Sequence, residues 1–125
     1  MVYGIGVDLI EVERVKKAIL ANDTFLTKIY GSQEIAKCQS TNNRFQCFAA
    51  RFAGKEAFMK ALGTGWSKGL KWTEVEILND KEGKPVLTLS GKAKEMIEEL
   101  NITRLNISLS HIANVASAIV VLETN

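Results

Sequence analysis

The chain has 125 residues, of which 46% are hydrophobic, and a net charge of +2 from 16 Lys and Arg against 14 Asp and Glu. This predicts one domain over residues 1–125 with enough apolar material for a core. No run approaches the ~20 apolar residues of a membrane span, and so small a net charge argues against a nucleic-acid binder. The N-terminus carries no basic leader and reaches Asp8 early, unlike a signal peptide. Cys38 and Cys47 lack metal-ligand spacing and are expected as free thiols of a cytoplasmic protein.

Residues 2–8 predict a short strand. Tyr3, Ile5, Val7 and Leu9 share one face, and Gly4, Gly6 and Asp8 share the other. Glycines in a strand mark a close approach by a packed element or a ligand. Asp8 reads as N-cap or first-turn acid of the next helix, the commonest role for Asp before a helical pattern. That helix is predicted over 9–21, burying Val12, Val15, Ala18 and Ile19. Arg14, Lys16 and Lys17 project outward. With Lys28 and Lys37 they form a basic patch, either a solvated face or a landing surface for an acidic partner. Residues 23–38 predict short helical segments, and the polar stretch 40–43 bounds a long helix ending near Leu62.

The long helix carries the densest chemistry. At about 100° per residue, Phe45, Phe48, Ala49, Phe52 and Met59 fall on one stripe with Glu56 inside it. An acid in such a stripe needs a cation or a metal. Lys60, four residues on, stands in the favourable order for a pair with Glu56. Arg51 and Lys55 lie on the neighbouring flank. Gly63, Thr64 and Gly65 follow, with Gly63 as the expected helix terminator. They do not form a phosphate loop, because the pattern is absent and the loop follows a helix where a phosphate loop precedes one. An anion held nearby therefore depends on side-chain cations or a metal.

Strands are predicted over 70–78 and Pro85–Leu89, joined by a turn-rich stretch into a hairpin. Pro85 opens its strand, where a missing N–H is tolerated. A helix over 91–100 has Ser90 as N-cap and Ala93, Met96, Ile97 and Leu100 on its buried face. Two further strands, 104–111 and 114–123, close the chain. The second is apolar on both faces over 115–122, as in a central buried strand, and the first ends at His111, the only histidine.

Taken together, Gly4-Ile5-Gly6-Val7-Asp8, Arg51-Phe52-Ala53-Gly54-Lys55-Glu56-Ala57 with Lys60 and Gly63-Thr64-Gly65, Gly83-Lys84-Pro85, and Ile107-Ser108-Leu109-Ser110-His111 resemble the holo-acyl-carrier-protein synthases. The resemblance covers essentially the whole chain. It implies an α+β 4'-phosphopantetheinyl transferase fold, a small antiparallel sheet packed against a long central helix and shorter helices. It also implies transfer of 4'-phosphopantetheine from coenzyme A to a serine of apo acyl carrier protein, dependent on Mg²⁺, by a homotrimer with active sites at subunit interfaces. Residue by residue, Asp8 and Glu56 resemble the metal ligands and Lys60 the lysine facing the reacting phosphates. Arg51, Lys55, Gly63, Thr64, Gly65, Pro85 and His111 resemble parts of the coenzyme A site. Arg14 and Lys17 on the basic first helix resemble the surface that docks the carrier's acidic helix. Gly54 and Ile112 depart from the family's usual alanine and threonine.

Two acids fit Mg²⁺, which takes one or two carboxylates plus substrate phosphates and waters, and hard oxygen ligands suit Mn²⁺ as well. Glu56 and a water on the metal both answer the need for an acceptor of the serine proton. Two other classes share some of these features. A metal-dependent phosphohydrolase would use the same acids, and a non-catalytic module for acidic proteins would use the basic helix alone.

Overall fold

The first strand, β1 (Val2–Glu11), outruns its predicted end at residue 8. Its antiparallel ladder with β5 (Val115–Thr124) continues to Glu11 opposite Val115, and the Val12 N–H donates to the Asn114 carbonyl at 2.9 Å. Asp8 therefore sits mid-strand opposite Ala118 and is not a helix N-cap. Helices α1 (Val12–Ala21), α2 (Phe25–Ile29) and α3 (Ser32–Gln39) follow as short segments. The long helix α4 (Arg44–Leu62) is terminated by Gly63 at φ +88°, whose N–H donates to the Met59 carbonyl at 2.9 Å. The hairpin pairs β2 (Val75–Asn79) with β3 (Pro85–Leu89). A 3₁₀ turn over Trp72–Glu74 replaces the first part of the predicted strand. Helix α5 (Gly91–Glu99) and β4 (Ile102–His111) complete the chain, with the large sheet ordered β1-β5-β4. This computed structural model describes residues 1–66 and 69–125.

The glycine face of β1 decides how the layers meet. A Cβ on Gly4 would run into the Ala61 carbonyl, and one on Gly6 into that of Ala57. Strand and helix backbones thus touch without side chains between them, which is the close approach that strand glycines announce. The other face of β1 points away from α4. Tyr3, Ile5, Val7 and Leu9 are 42%, 61%, 60% and 71% exposed, and Ile119 on β5 is 42% exposed beside them. The expectation that β5 is buried on both faces is corrected accordingly. Ala116, Ala118, Val120 and Leu122 are buried against α4, and the opposite face is only partly covered, with Ile119 exposed.

Helix α4 is buried around most of its circumference, because the sheet takes one side while α1, α3 and the hairpin take others. This removes the predicted single stripe. Phe45 and Phe52 are only half-buried, whereas Arg51 and Lys55, read as flank residues, are 5% and 0% exposed. Gly54 makes room for the Ile77 side chain, which occupies the place of an alanine methyl. Cys38 and Cys47 are joined in a disulfide, with Cα atoms 5.4 Å apart. The free-thiol expectation is thereby corrected. The end of α3 folds back onto the first turn of α4, a proximity that spacing alone does not reveal.

Candidate functional site

Asp8 and Lys60 meet where β1 crosses α4, and Glu56 lies one helical turn before Lys60 on α4. Lys60 Nζ donates to Asp8 Oδ1 and to the Val7 carbonyl, both at 3.0 Å. The predicted helical pair between Glu56 and Lys60 is thus replaced by a pair across to the strand. The glycine contact brings β1 within reach, and a strand carbonyl plus a carboxylate offer Lys60 two acceptors in place of one. Lys60 remains 54% exposed at its side chain and Asp8 16%. Glu56 is half-buried, and its Oε1 accepts the indole N–H of Trp66 at 3.3 Å.

Arg51 and Lys55 face away from this crossing. Arg51 donates to the Ile77 carbonyl at 3.1 Å and to Asn79 Oδ1 at 2.7 Å, and Cys47 Sγ lies 3.2 Å from its Nη1. It lines a cleft of about 340 Å³ together with Gln33, Lys37, Asn79 and Asp80. Burial lowers the Arg51 pKa, partly offset by Glu34. Lys55, expected at a ligand site, is sealed in the core. Its ammonium donates to Glu34 Oε1 at 2.8 Å, the Trp72 carbonyl at 3.1 Å and the Val75 carbonyl at 2.6 Å. All three protons of that group are used. Burial pushes its pKa down and Glu34 pulls it back up. Glu34, which sequence reasoning missed, also accepts the N–H groups of Gly31 at 3.0 Å and Ile77 at 2.9 Å. A glutamate three residues after Gly31 in the first turn of α3 reads from sequence as a cap, and nothing in that pattern announces a buried partner for Lys55.

The remaining expected residues lie around these two groups. Gly63 and Gly65 take left-handed backbone at φ +88° and +65°, with Thr64 between them. Pro85 opens β3 opposite Asn79, the residue Arg51 holds. His111 is exposed at the end of β4, opposite Ala116, and no hydrogen bond or ion pair joins it to Asp8, Glu56 or Lys60 among the described residues. Arg14 and Lys17 are exposed on α1. Arg14 edges an apolar cleft of about 170 Å³ formed by Ile10, Val15, Ala18, Phe25 and Phe52. Of the wider basic patch, Lys37 belongs to the Arg51 cleft and not to this surface.

Chemically, the crossing of β1 and α4 offers two carboxylates and an exposed ammonium. No group of three or more His, Cys, Asp and Glu among the described residues could form a closed metal cage. Two oxygen donors with open surroundings suit a hard cation that keeps waters and takes further ligands from a phosphate. No helix among the described residues is long and apolar enough to cross a membrane.

A family model described as the 4'-phosphopantetheinyl transferase superfamily matches residues 4–115. A holo-acyl-carrier-protein synthase of Geotalea daltonii is 43% identical over 124 residues, 98% of this chain and 99% of that protein. Among solved structures, the holo-acyl-carrier-protein synthase of Neisseria meningitidis superposes with a TM-score of 0.91 at 30% identity, over 99% of this chain and all 100% of that one. That of Helicobacter pylori, solved in complex with coenzyme A, gives a TM-score of 0.84 at 33% identity over 95% and 99%. The antiparallel sheet on a central helix and the similarity to these proteins over nearly their full length agree: the chain belongs to the 4'-phosphopantetheinyl transferase superfamily, among its holo-acyl-carrier-protein synthases.

Proposed function

We propose that this enzyme transfers the 4'-phosphopantetheine arm of coenzyme A to a serine of apo acyl carrier protein, releasing adenosine 3',5'-bisphosphate and readying the carrier for fatty-acid synthesis. The observation that carries this reading is the pairing of Lys60 with Asp8 across 52 positions, one helical turn from Glu56. In the reaction the serine oxygen attacks the phosphorus next to the pantetheine. The bond to the bridging pyrophosphate oxygen breaks, and the bisphosphate leaves with the electron pair. The serine proton passes to Glu56 or to solvent.

Lys60 neutralises charge on the transferring phosphate. Its pair with Asp8 is half exposed, and such pairs contribute at most about 1 kcal/mol. A dense phosphate charge therefore draws the ammonium away from Asp8 at little cost. Asp8 and Glu56 are the residues that would hold Mg²⁺, or Mn²⁺ in its place. When bound, the metal supplies positive charge at the pyrophosphate. Arg51, Gly63, Thr64, Gly65, Pro85 and His111 serve coenzyme A, while Lys55 braces the wall of the Arg51 cleft from behind through Val75 and Glu34. Arg14 and Lys17 attract the acidic helix of the carrier, and the apolar cleft beside Arg14 receives its hydrophobic side.

The uncovered apolar face of β1 and Ile119 supports a homotrimer with sites at the subunit interfaces, since a patch of this kind marks an interaction surface. Residues 1–125 act as one catalytic domain. A cytoplasmic location follows from the carrier and coenzyme A as partners; the bonded cysteines lend it no support. The deciding experiment is mass spectrometry of apo carrier incubated with the protein, coenzyme A and Mg²⁺. A gain of one phosphopantetheine arm on the carrier is expected. Release of 4'-phosphopantetheine without any carrier would instead identify a phosphohydrolase.

A further inference from the structure

Glu56 has one side-chain hydrogen-bond partner among the described residues, and it is neutral: the indole N–H of Trp66, 3.3 Å from Oε1. Lys60, the cation one turn away, is committed to Asp8 and the Val7 carbonyl. An indole N–H only donates, so it can orient a carboxylate without cancelling its charge. A lysine in the same place would compete with any cation that the carboxylate is meant to hold.

The indole is itself fixed by a closed circuit on one turn of α4. Trp66 stacks on Trp72 with centroids 3.8 Å apart, and Trp72 stacks on Phe52 at 5.1 Å. Phe52 and Glu56 are four residues apart on α4, so the two tryptophans bridge a single helical turn and return to it. The Trp72 backbone is held in turn by the buried Lys55 ammonium, which donates to its carbonyl at 3.1 Å. The left-handed backbone at Gly63 and Gly65 reverses the chain after the helix, returning Trp66 to a residue ten positions earlier. These are the protein's only two tryptophans, and both stand in this circuit.

We infer that Trp66 is a positioning residue for Glu56, holding Oε1 so that the other carboxylate oxygen is presented to a divalent cation at the crossing of β1 and α4. This rests on the reading of Glu56 as a metal-binding carboxylate. Outer-shell partners that orient metal ligands typically contribute 10–100-fold in metal affinity.

The test is titration of the free protein with Mg²⁺ by calorimetry, comparing wild type, Trp66→Phe and Glu56→Gln. Phenylalanine keeps a ring for the stack on Trp72 and deletes the N–H. Trp66→Phe is expected to weaken Mg²⁺ binding about tenfold with the melting temperature unchanged. It should also lower turnover at limiting Mg²⁺, with recovery at excess Mg²⁺ and an unaltered KM for coenzyme A. Mg²⁺ should change tryptophan emission in the wild type and leave it unchanged in Trp66→Phe. Wild-type Mg²⁺ affinity in Trp66→Phe, with binding lost in Glu56→Gln, would overturn the positioning role alone. Undiminished Mg²⁺ binding in Glu56→Gln would overturn the metal assignment, and the inference with it.

Discussion

Lys55 and Lys60 stand five positions apart on α4 and have opposite surroundings. Lys55 is fully buried, spends all three protons on Glu34 and two backbone carbonyls, and has no room for a ligand. Lys60 is half exposed and pairs with an acid on another element. The difference separates two uses of an ion pair. A buried, saturated pair fixes α3, α4 and β2 against one another, and its charge is spent inside the protein. An exposed pair contributes little to stability but keeps both charges available to a ligand.

The comparison breaks most visibly at the buried pair. Lys55→Met leaves Glu34 charged and without its cation in the core, which costs about 3–5 kcal/mol. A urea denaturation midpoint far below wild type is expected, and an unchanged midpoint would show the pair to be dispensable. Lys60→Ala probes the other side. Turnover should fall by roughly 10²–10³, about 2.7–4 kcal/mol of transition-state stabilisation, while the urea midpoint stays near wild type. A large loss of stability in Lys60→Ala would erase the contrast between the two lysines.

Smaller effects sharpen it. Cys38→Ser opens the short loop closed by the disulfide and should cost about 2–3 kcal/mol, read as a lower melting temperature under non-reducing conditions. Adding reductant to the wild type should reproduce most of that loss. Arg14→Glu should raise the KM for carrier about tenfold through lost electrostatic attraction and leave the KM for coenzyme A unchanged. Parallel shifts in both constants would move Arg14 out of the docking surface. Neither substitution touches either lysine pair.

Much of the fold was legible from local pattern. The hairpin, α5 and the two closing strands follow from turn residues and periodicity, with boundary differences of a residue or two except at β2. Gly63 as helix terminator follows from its freedom at positive φ. The resemblance put Asp8, Glu56 and Lys60 in one site; the structure pairs Lys60 with Asp8, one helical turn from Glu56. The stripe on α4 misled, because a helical wheel presumes one buried face and this helix has neighbours on most sides.

Sequence by itself determined the elements, the family and the identity of the charged groups, since these depend on residue type and near spacing. Tertiary structure alone decided which charge is spent and which is kept. Glu34 reaches Lys55 across 21 positions and Lys60 reaches Asp8 across 52, because two strand glycines and a wrapped helix bring distant backbones into contact. It also set Cys38 against Cys47, exposed the apolar face of β1, and returned Trp66 to Glu56. Each of these depends on how far the chain is folded back on itself, and no local pattern records that distance.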